Sequence, residues 1–275
     1  MRRLILNADD LGINPSRDHG IFECIERGIL TSATLVVNGS GALRAAERTR
    51  RMDFPTGLHL NFTEGFPLSK NAPSLLSGEG LFLDRTRFPR ALEEGEIDPR
   101  HVEWEFRAQM DWLLEHRGEA THLDSHHHVH VHPAIVQILA PLLPQYGIRF
   151  VRIPEEPAPP DHVPLSAERL AALKRTAEDA RAARELYSAH GVGSSDHFRG
   201  MAFAGNASKK AFRQLTRAIP EGITELGMHP GQVDPNGDPF SQDPQRETER
   251  EILIDEEMPA YLAQQKVVLV SYGDL

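Results

Sequence analysis

Six of the chain's 14 histidines fall within eleven consecutive positions, in the run Thr121-His122-Leu123-Asp124-Ser125-His126-His127-His128-Val129-His130-Val131-His132. Neutral imidazole is the commonest side-chain metal ligand, and an imidazole in a protein interior needs a partner. Leu123, Val129 and Val131 suggest an extended strand, whose side chains alternate between faces. On that pattern Asp124, His126, His128, His130 and His132 share one face, which points to a metal or catalytic site. A satisfied core histidine and a pH-sensitive surface are the plainer alternatives. An expression tag does not fit an internal run interrupted by valines.

Other stretches carry compatible chemistry. Asn7-Ala8-Asp9-Asp10-Leu11-Gly12 ends an apolar segment with two adjacent carboxylates. Adjacent carboxylates repel unless a cation or a proton relieves them. A metal on one aspartate leaves the other free as a general base. The plainer alternative is a helix N-cap, for which one carboxylate suffices and which Asn14-Pro15-Ser16 also offers. Gly57-Leu58-His59-Leu60-Asn61-Phe62 sets His59 and Asn61 on one side of a short strand and Leu58, Leu60 and Phe62 on the other. Taken alone, His59 reads more readily as a hydrogen-bonded structural residue than as a ligand. Glu225-Leu226-Gly227-Met228-His229-Pro230-Gly231 places His229 before a Pro-Gly turn, where it could protonate a leaving group or simply belong to the turn. His197, in Ser195-Asp196-His197-Phe198-Arg199-Gly200, is a weaker candidate for a substrate loop. Walker-type and dinucleotide glycine motifs are missing. Gly191-Val192-Gly193-Ser194-Ser195 lacks the G-x-S-x-G spacing of a serine hydrolase.

The elements that must position these residues alternate along the chain. Strand patterns cover 3–8, 33–37, 56–61, 120–126, 149–153, 223–229 and 266–271. Helical patterns cover 16–27, 41–51, 101–116, 133–145, 166–190, 209–218 and 246–264. Such alternation predicts an α/β fold with a mostly parallel, helix-covered sheet, and seven strands in 275 residues suit a closed or nearly closed βα barrel. Loops at 67–80, 154–164 and 230–244 are rich in proline and glycine but too short to be domain linkers. Asn7, Asp9 and Asp10, then Asn38, His59 with Asn61, the histidine run, Arg152 with Glu155, and His229 all lie near strand ends. Active sites gather at the carboxyl ends of strands in such folds, so these six ends share one rim.

Composition narrows the setting. A formal net charge of -10 argues against general binding to nucleic acid or an anionic membrane surface, but leaves a neutral sugar open. The single cysteine, Cys24, cannot form an internal disulfide. The apolar run after Arg2 and Arg3 is too short for a signal-peptide core, and no stretch reaches transmembrane length. A cytoplasmic protein is therefore expected, and a two-fold homodimer is the commonest assembly for one.

Together these pieces resemble the YdjC-like carbohydrate deacetylase family, which includes chitooligosaccharide deacetylases. The resemblance rests on Asn7-Ala8-Asp9-Asp10-Leu11-Gly12, Thr31-Ser32-Ala33-Thr34-Leu35-Val36-Val37-Asn38-Gly39, Gly57-Leu58-His59-Leu60-Asn61 and Thr121 to His130. Met228-His229-Pro230-Gly231 and Val270-Ser271-Tyr272-Gly273-Asp274-Leu275 match as well. The resemblance implies one domain over residues 1–275, folded as an irregular seven-stranded βα barrel related to the polysaccharide deacetylases. It implies one divalent metal ion held by Asp10, His59 and His126, with Asp9 as general base and His229 as general acid. Asn38, Asn61, Asp124, His128 and Arg152 would then support the ligands or touch the substrate, with Asp124 or Asn61 orienting a ligand imidazole. Polysaccharide deacetylases outside this family take both histidines from one H-x-x-x-H run, so His122 or His128 would replace His59 if His59 were no ligand. The donor set suits zinc, and an oxygen-rich, watered shell suits magnesium. The implied activity is hydrolysis of the N-acetyl group of an N-acetylglucosamine-containing oligosaccharide, with release of acetate. A non-catalytic metal- or sugar-binding protein, or a metal-dependent hydrolase of another amide or a phosphate ester, is the alternative.

Overall fold

A computed structural model describes residues 1–159 and 163–275. Seven strands form one sheet in the order β4-β3-β2-β1-β6-β5, with β7 also on β1. They are β1 (Arg2–Leu11), β2 (Ser32–Leu35), β3 (Thr56–Leu60), β4 (Leu123–Ser125), β5 (His197–Arg199), β6 (Gly222–Met228) and β7 (Val267–Leu269). Every pairing is parallel. One edge of β1 is shared: β7 pairs with Arg2 to Leu4, and β2 takes over from Asn7. The sheet curls without closing. Between β4 and β5, single bridges from Leu123 to Val151 and from Phe150 to Gly193 bring the edges together. The irregular seven-stranded barrel read from the sequence is thus an open one.

Side-chain alternation divides the sheet. Leu4, Leu6 and Ala8 of β1, Ala33 and Leu35 of β2, Leu58 and Leu60 of β3, Leu123 of β4, and Leu226 and Met228 of β6 are all buried in the apolar core. Each leucine or methionine among them contributes roughly 1.5–3 kcal/mol on burial. The intervening positions carry Asn7 and Asp9, Thr34, His59, Asp124 and Glu225, which are also buried. They meet one another on the concave face, where Arg152 touches Asp9, Asp124 and Glu225 from three different strands. The fold therefore keeps its apolar packing outside the curl and its chemistry inside.

Helices cover the outside: α1 (Pro15–Arg27), α2 (Ala42–Met52), α3 (Arg87–Glu93), α4 (Pro99–Arg117), α5 (Pro133–Leu139), α6 (Ala167–Ala189), α7 (Lys209–Ala218), α8 (Gln245–Leu253) and α9 (Met258–Gln264). Among the described residues, no helix is long and apolar enough to cross a membrane. Helix α1 is capped by Asn14, whose side chain accepts from the Arg17 amide, so neither Asp9 nor Asp10 serves as its cap.

Several boundaries differ from the sequence reading. The 149–153 segment forms single bridges rather than a strand, while β5 and α3 lie where no periodic pattern stood out. The 246–264 pattern is two helices separated by Ile254 to Glu257. Of the 154–164 loop, residues 160–162 lie outside the described residues. The largest correction concerns the histidine run. Strand β4 ends at Ser125, and His126–Val131 winds into a 3-10 segment with His127 and His128 at φ 54 and 57. The five-residue shared face therefore does not exist. One long-range contact and one local contact accompany the winding: Thr63 Oγ1 lies 2.8 Å from His127 Nδ1, and Ser125 Oγ lies 2.5 Å from His130 Nδ1.

Close packing fixes the rim beneath His229. A Cβ built on Gly20 of α1 would lie 2.5 Å from the Gly231 Cα. Alanine adds up to ~1 kcal/mol of helix propensity, whereas overpacking costs ~1–3 kcal/mol. Gly20→Ala is expected to lower the melting temperature by several degrees, checked by thermal denaturation followed by circular dichroism.

Candidate metal and catalytic site

Three side chains from three segments converge at the rim. Asp10 Oδ1 lies 3.3 Å from His59 Nε2 and 3.1 Å from His126 Nδ1. Candidate ligand atoms of Asp10, His59 and His126 all lie within 4.8 Å of one another. Asp10 adopts φ 64, a left-handed conformation that costs a non-glycine residue energy and that tends to persist where a site demands it. Its other oxygen, Oδ2, accepts from Arg17 Nη1 at 2.7 Å. His59 donates from Nδ1 to Asp124 Oδ1 at 2.7 Å, because a carboxylate can only accept. That bond leaves Nε2 as the atom facing Asp10. His126 Nε2 lies 3.0 Å from Glu64 Oε2.

The donor set fits a divalent cation. Burial disfavours charge on both imidazoles, yet the carboxylates outweigh it and push His59 up to about 10 and His126 up to about 9. Two buried imidazoles held in carboxylate company are protonated when nothing else supplies positive charge, and a cation would take the place of those protons. A second grouping, Asp9, His59 and Asp124, is also close enough to bind a metal. There Arg152 already meets both carboxylates, with Nη1 2.6 Å from Asp9 Oδ2 and 2.8 Å from Asp124 Oδ2, whereas in the first grouping Arg17 takes only Oδ2 of Asp10 and leaves Oδ1 facing the imidazoles.

Asp9 stands beside the metal-competent set with a different environment. Arg152 grips it with both terminal nitrogens, at 2.6 and 2.7 Å, and Asn7 Nδ2 donates to it at 2.9 Å. Burial alone would raise Asp9, but the Arg152 guanidinium wins and holds it below the usual carboxylate range. Asp9 is therefore charged near neutral pH. His229 Nε2 lies 3.7 Å from Asp9 Oδ2, and the His229 amide donates to Glu249 Oε2 at 2.6 Å. Its Nδ1 is buried without a hydrogen-bond partner among the described residues.

Other candidates from the sequence are placed elsewhere. Asn61 accepts from the amides of Thr63 and Glu64, and Asn38 donates to the carbonyls of Glu64 and Phe66, so both shape the loop that carries Glu64. Of the pair Asp124 and Asn61, Asp124 is the one that contacts a ligand imidazole. Neither His122 nor His128 joins the Asp10 cluster: His122 stacks on Tyr272 at 3.8 Å and His128 meets Phe198 at 6.0 Å. Burial pushes each down to about 3. His197 sits at the amino end of β5, away from the rim, with Nε2 near the Glu221 carbonyl. Glu155 turns outward to Arg181.

Sequence reasoning missed Arg17 and Glu64, and it quoted Thr34, Glu225 and Tyr272 only as members of motifs, without a role. Thr34 Oγ1 donates to Asp124 Oδ2 at 3.0 Å, and Glu225 Oε1 accepts from Arg152 Nε at 2.7 Å. A glutamate amid Ile223, Leu226 and Met228 was the available signal, since a mid-strand charge needs a buried partner.

Comparison with known proteins identifies the family. The YdjC-like protein family profile matches residues 3–264. The chain belongs to the YdjC-like family. A mouse carbohydrate deacetylase is 40% identical over 99% of this chain and 94% of its own length. A Brevibacillus brevis carbohydrate deacetylase is 32% identical over 99% of both chains. A crystal structure from Enterococcus faecalis, provisionally described as a cellobiose-phosphate cleavage protein, superposes with a TM-score of 0.80 at 25% identity, covering 99% of this chain and 98% of that one. The residues matched by the family profile take in most of β1, strands β2 to β6 and the rim, and end just before β7.

If Asp124 orients a ligand, its loss weakens the site without removing it. Asp124→Asn is expected to reduce metal affinity by about 10–100-fold, the usual cost of losing such a partner, as measured by competition with a chromophoric chelator.

Proposed function

We propose that this YdjC-like protein is a metal-dependent carbohydrate deacetylase, carried by residues 1–275 as one domain, that removes the N-acetyl group from an N-acetylglucosamine-containing oligosaccharide. The observation that carries the reading is the Arg152-held carboxylate of Asp9 next to the Asp10, His59 and His126 cluster. A protein that only binds a metal or a sugar has no use for a second, separately ionised carboxylate there. The named relatives supply the substrate class.

Asp10, His59 and His126 would hold the cation, which when bound acidifies water and polarises a carbonyl. Asp9, kept anionic by Arg152, accepts the proton of the attacking water as its oxygen adds to the acetamide carbon. The carbon–nitrogen bond then breaks, acetate leaves, and the departing amine needs a proton. His229 Nε2, 3.7 Å from Asp9, is the group positioned to deliver it. Burial lowers His229 despite the pull of Asp9, so it rests neutral near pH 7 and passes a proton on rather than storing one. Phe66, 64% exposed, offers an apolar face to a pyranose ring, while Phe240 meets His229 edge-on at 5.2 Å with the Arg246 guanidinium 4.0 Å over its ring.

The test is acetate release from N,N′-diacetylchitobiose by metal-stripped protein, with Zn, Mg, Co or Ni restored singly. Release that returns with a metal supports the reading. Tight binding of one ion without release under any of them would overturn it in favour of another amide or a binding role. His229→Ala is expected to slow turnover by about 10²-fold, the lower end for acid–base groups, with metal content unchanged.

A further inference from the structure

The polar chain inside the curl extends beyond the groups the reaction uses. Tyr272 is 2% exposed, and its hydroxyl donates to Glu225 Oε2 at 2.6 Å. Glu225 Oε1 in turn accepts from Arg152 Nε at 2.7 Å, and Arg152 presents its two terminal nitrogens to Asp9. Tyr272 is held from several sides. Its amide donates to Ser32 Oγ at 3.3 Å, its ring stacks on His122 at 3.8 Å, and Ser271 and Asp274 close a reciprocal cap around its turn.

This chain is costly to bury. Arg152, Asp9, Asp124 and Glu225 place three carboxylates around one guanidinium in a region shielded from water. Apolar residues of like volume would often stabilise such a site better than ions do. Geometry supplies the reason for keeping it. Asp124 Oδ2, 2.8 Å from Arg152 Nη1, competes with Asp9 for the same guanidinium. A planar guanidinium fixed at Nε has its remaining two donors fixed in direction as well. Released at Nε, it can swing toward Asp124 and leave Asp9 half-held.

We infer that Tyr272 and Glu225 are positioning residues for the deacetylation, locking Arg152 at Nε so that its fork stays on Asp9 rather than shifting to Asp124. The inference rests on the reading of Asp9 as the base, and deepens it by extending the supporting set to the turn Tyr272–Asp274.

The experiment combines kinetics with a readout independent of turnover. Tyr272→Phe, Glu225→Gln and Glu225→Leu proteins are assayed on N,N′-diacetylchitobiose, and the slowly exchanging Arg152 Nε–H resonance is followed by NMR and assigned by its loss in Arg152→Lys. Tyr272→Phe is expected to lower kcat roughly tenfold, about the value of one hydrogen bond to a charged group, with KM within about twofold. Its Arg152 Nε–H should exchange faster. Glu225→Gln, which keeps an oxygen for Nε, should retain more activity than Glu225→Leu. Adding Tyr272→Phe to Arg152→Lys should cost little more, because both act through one contact. An unchanged kcat and unchanged Nε–H exchange in Tyr272→Phe, or full additivity with Arg152→Lys, would overturn the inference. Should the wild-type protein release no acetate at all, the functional reading fails by itself. The Nε–H measurement then still decides whether Tyr272 locks Arg152.

Discussion

His126→Ala protein, loaded with the metal that best supports the wild type and then dialysed, is expected to retain less than a tenth of the wild-type ion content and to lose ~10³-fold or more in acetate release. The reasoning is structural. His126 Nδ1 lies 3.1 Å from the same Asp10 oxygen that faces His59 Nε2, so its loss leaves two members of the candidate set. Two ligands hold a divalent ion far more weakly than three. The ion's contribution to charge stabilisation is several kcal/mol, and each 1.36 kcal/mol is a factor of ten in rate. Ion content is read by plasma mass spectrometry on the same samples. Undiminished metal with lost activity would move His126 from ligand to substrate contact and shift the ligand set toward Asp9, His59 and Asp124.

Asp9→Asn should separate the two aspartates. An asparagine can keep one hydrogen bond from Arg152 but cannot accept a proton from water, so turnover is expected to fall by roughly 10²–10⁴-fold while the metal stays bound. The same substitution at Asp10 should release the metal. The two carboxylates are therefore told apart by metal content, kept in one variant and lost in the other, although they are adjacent in the chain and both are buried. Loss of metal from Asp9→Asn would place Asp9 among the ligands. The substitution also leaves Arg152 with one carboxylate fewer, so a thermal melt belongs alongside to show that the fall in rate is not unfolding.

The sequence conveyed the fold through alternation: β1, β2, β3, β6 and β7 lie within a few residues of their patterns because each is a short apolar run between turns. The segments it misjudged are those whose conformation is decided at a distance. His127 and His128 take left-handed backbone angles that no local preference of histidine would forecast, under hydrogen bonds from Thr63 and around Ser125. Polar groups at strand ends marked the rim, but the choice of Asp9, Asp10, His59, His126 and His229 within it came from the family resemblance, since taken alone His59 and His229 read at least as well as structural residues. Their partners were less legible. Arg17 is a helix residue, Glu64 a loop residue and Tyr272 lies 47 positions beyond Glu225, so nothing local in the sequence ties any of them to the site.

The division of the sheet into an apolar outer face and an ionic inner one bears on how the protein could be toughened. Substitutions that make the concave face greasier would be expected to raise the unfolding temperature and silence the protein together, because the groups least favourable to folding are the ones that hold Asp9. Laboratory evolution toward heat resistance, run without an activity screen, would drift toward a sturdier but inert barrel. Hardening without that loss has to come from the outer layer and the surface, where Leu43, Met52 and Val268 stand exposed and outside the Arg152 cluster.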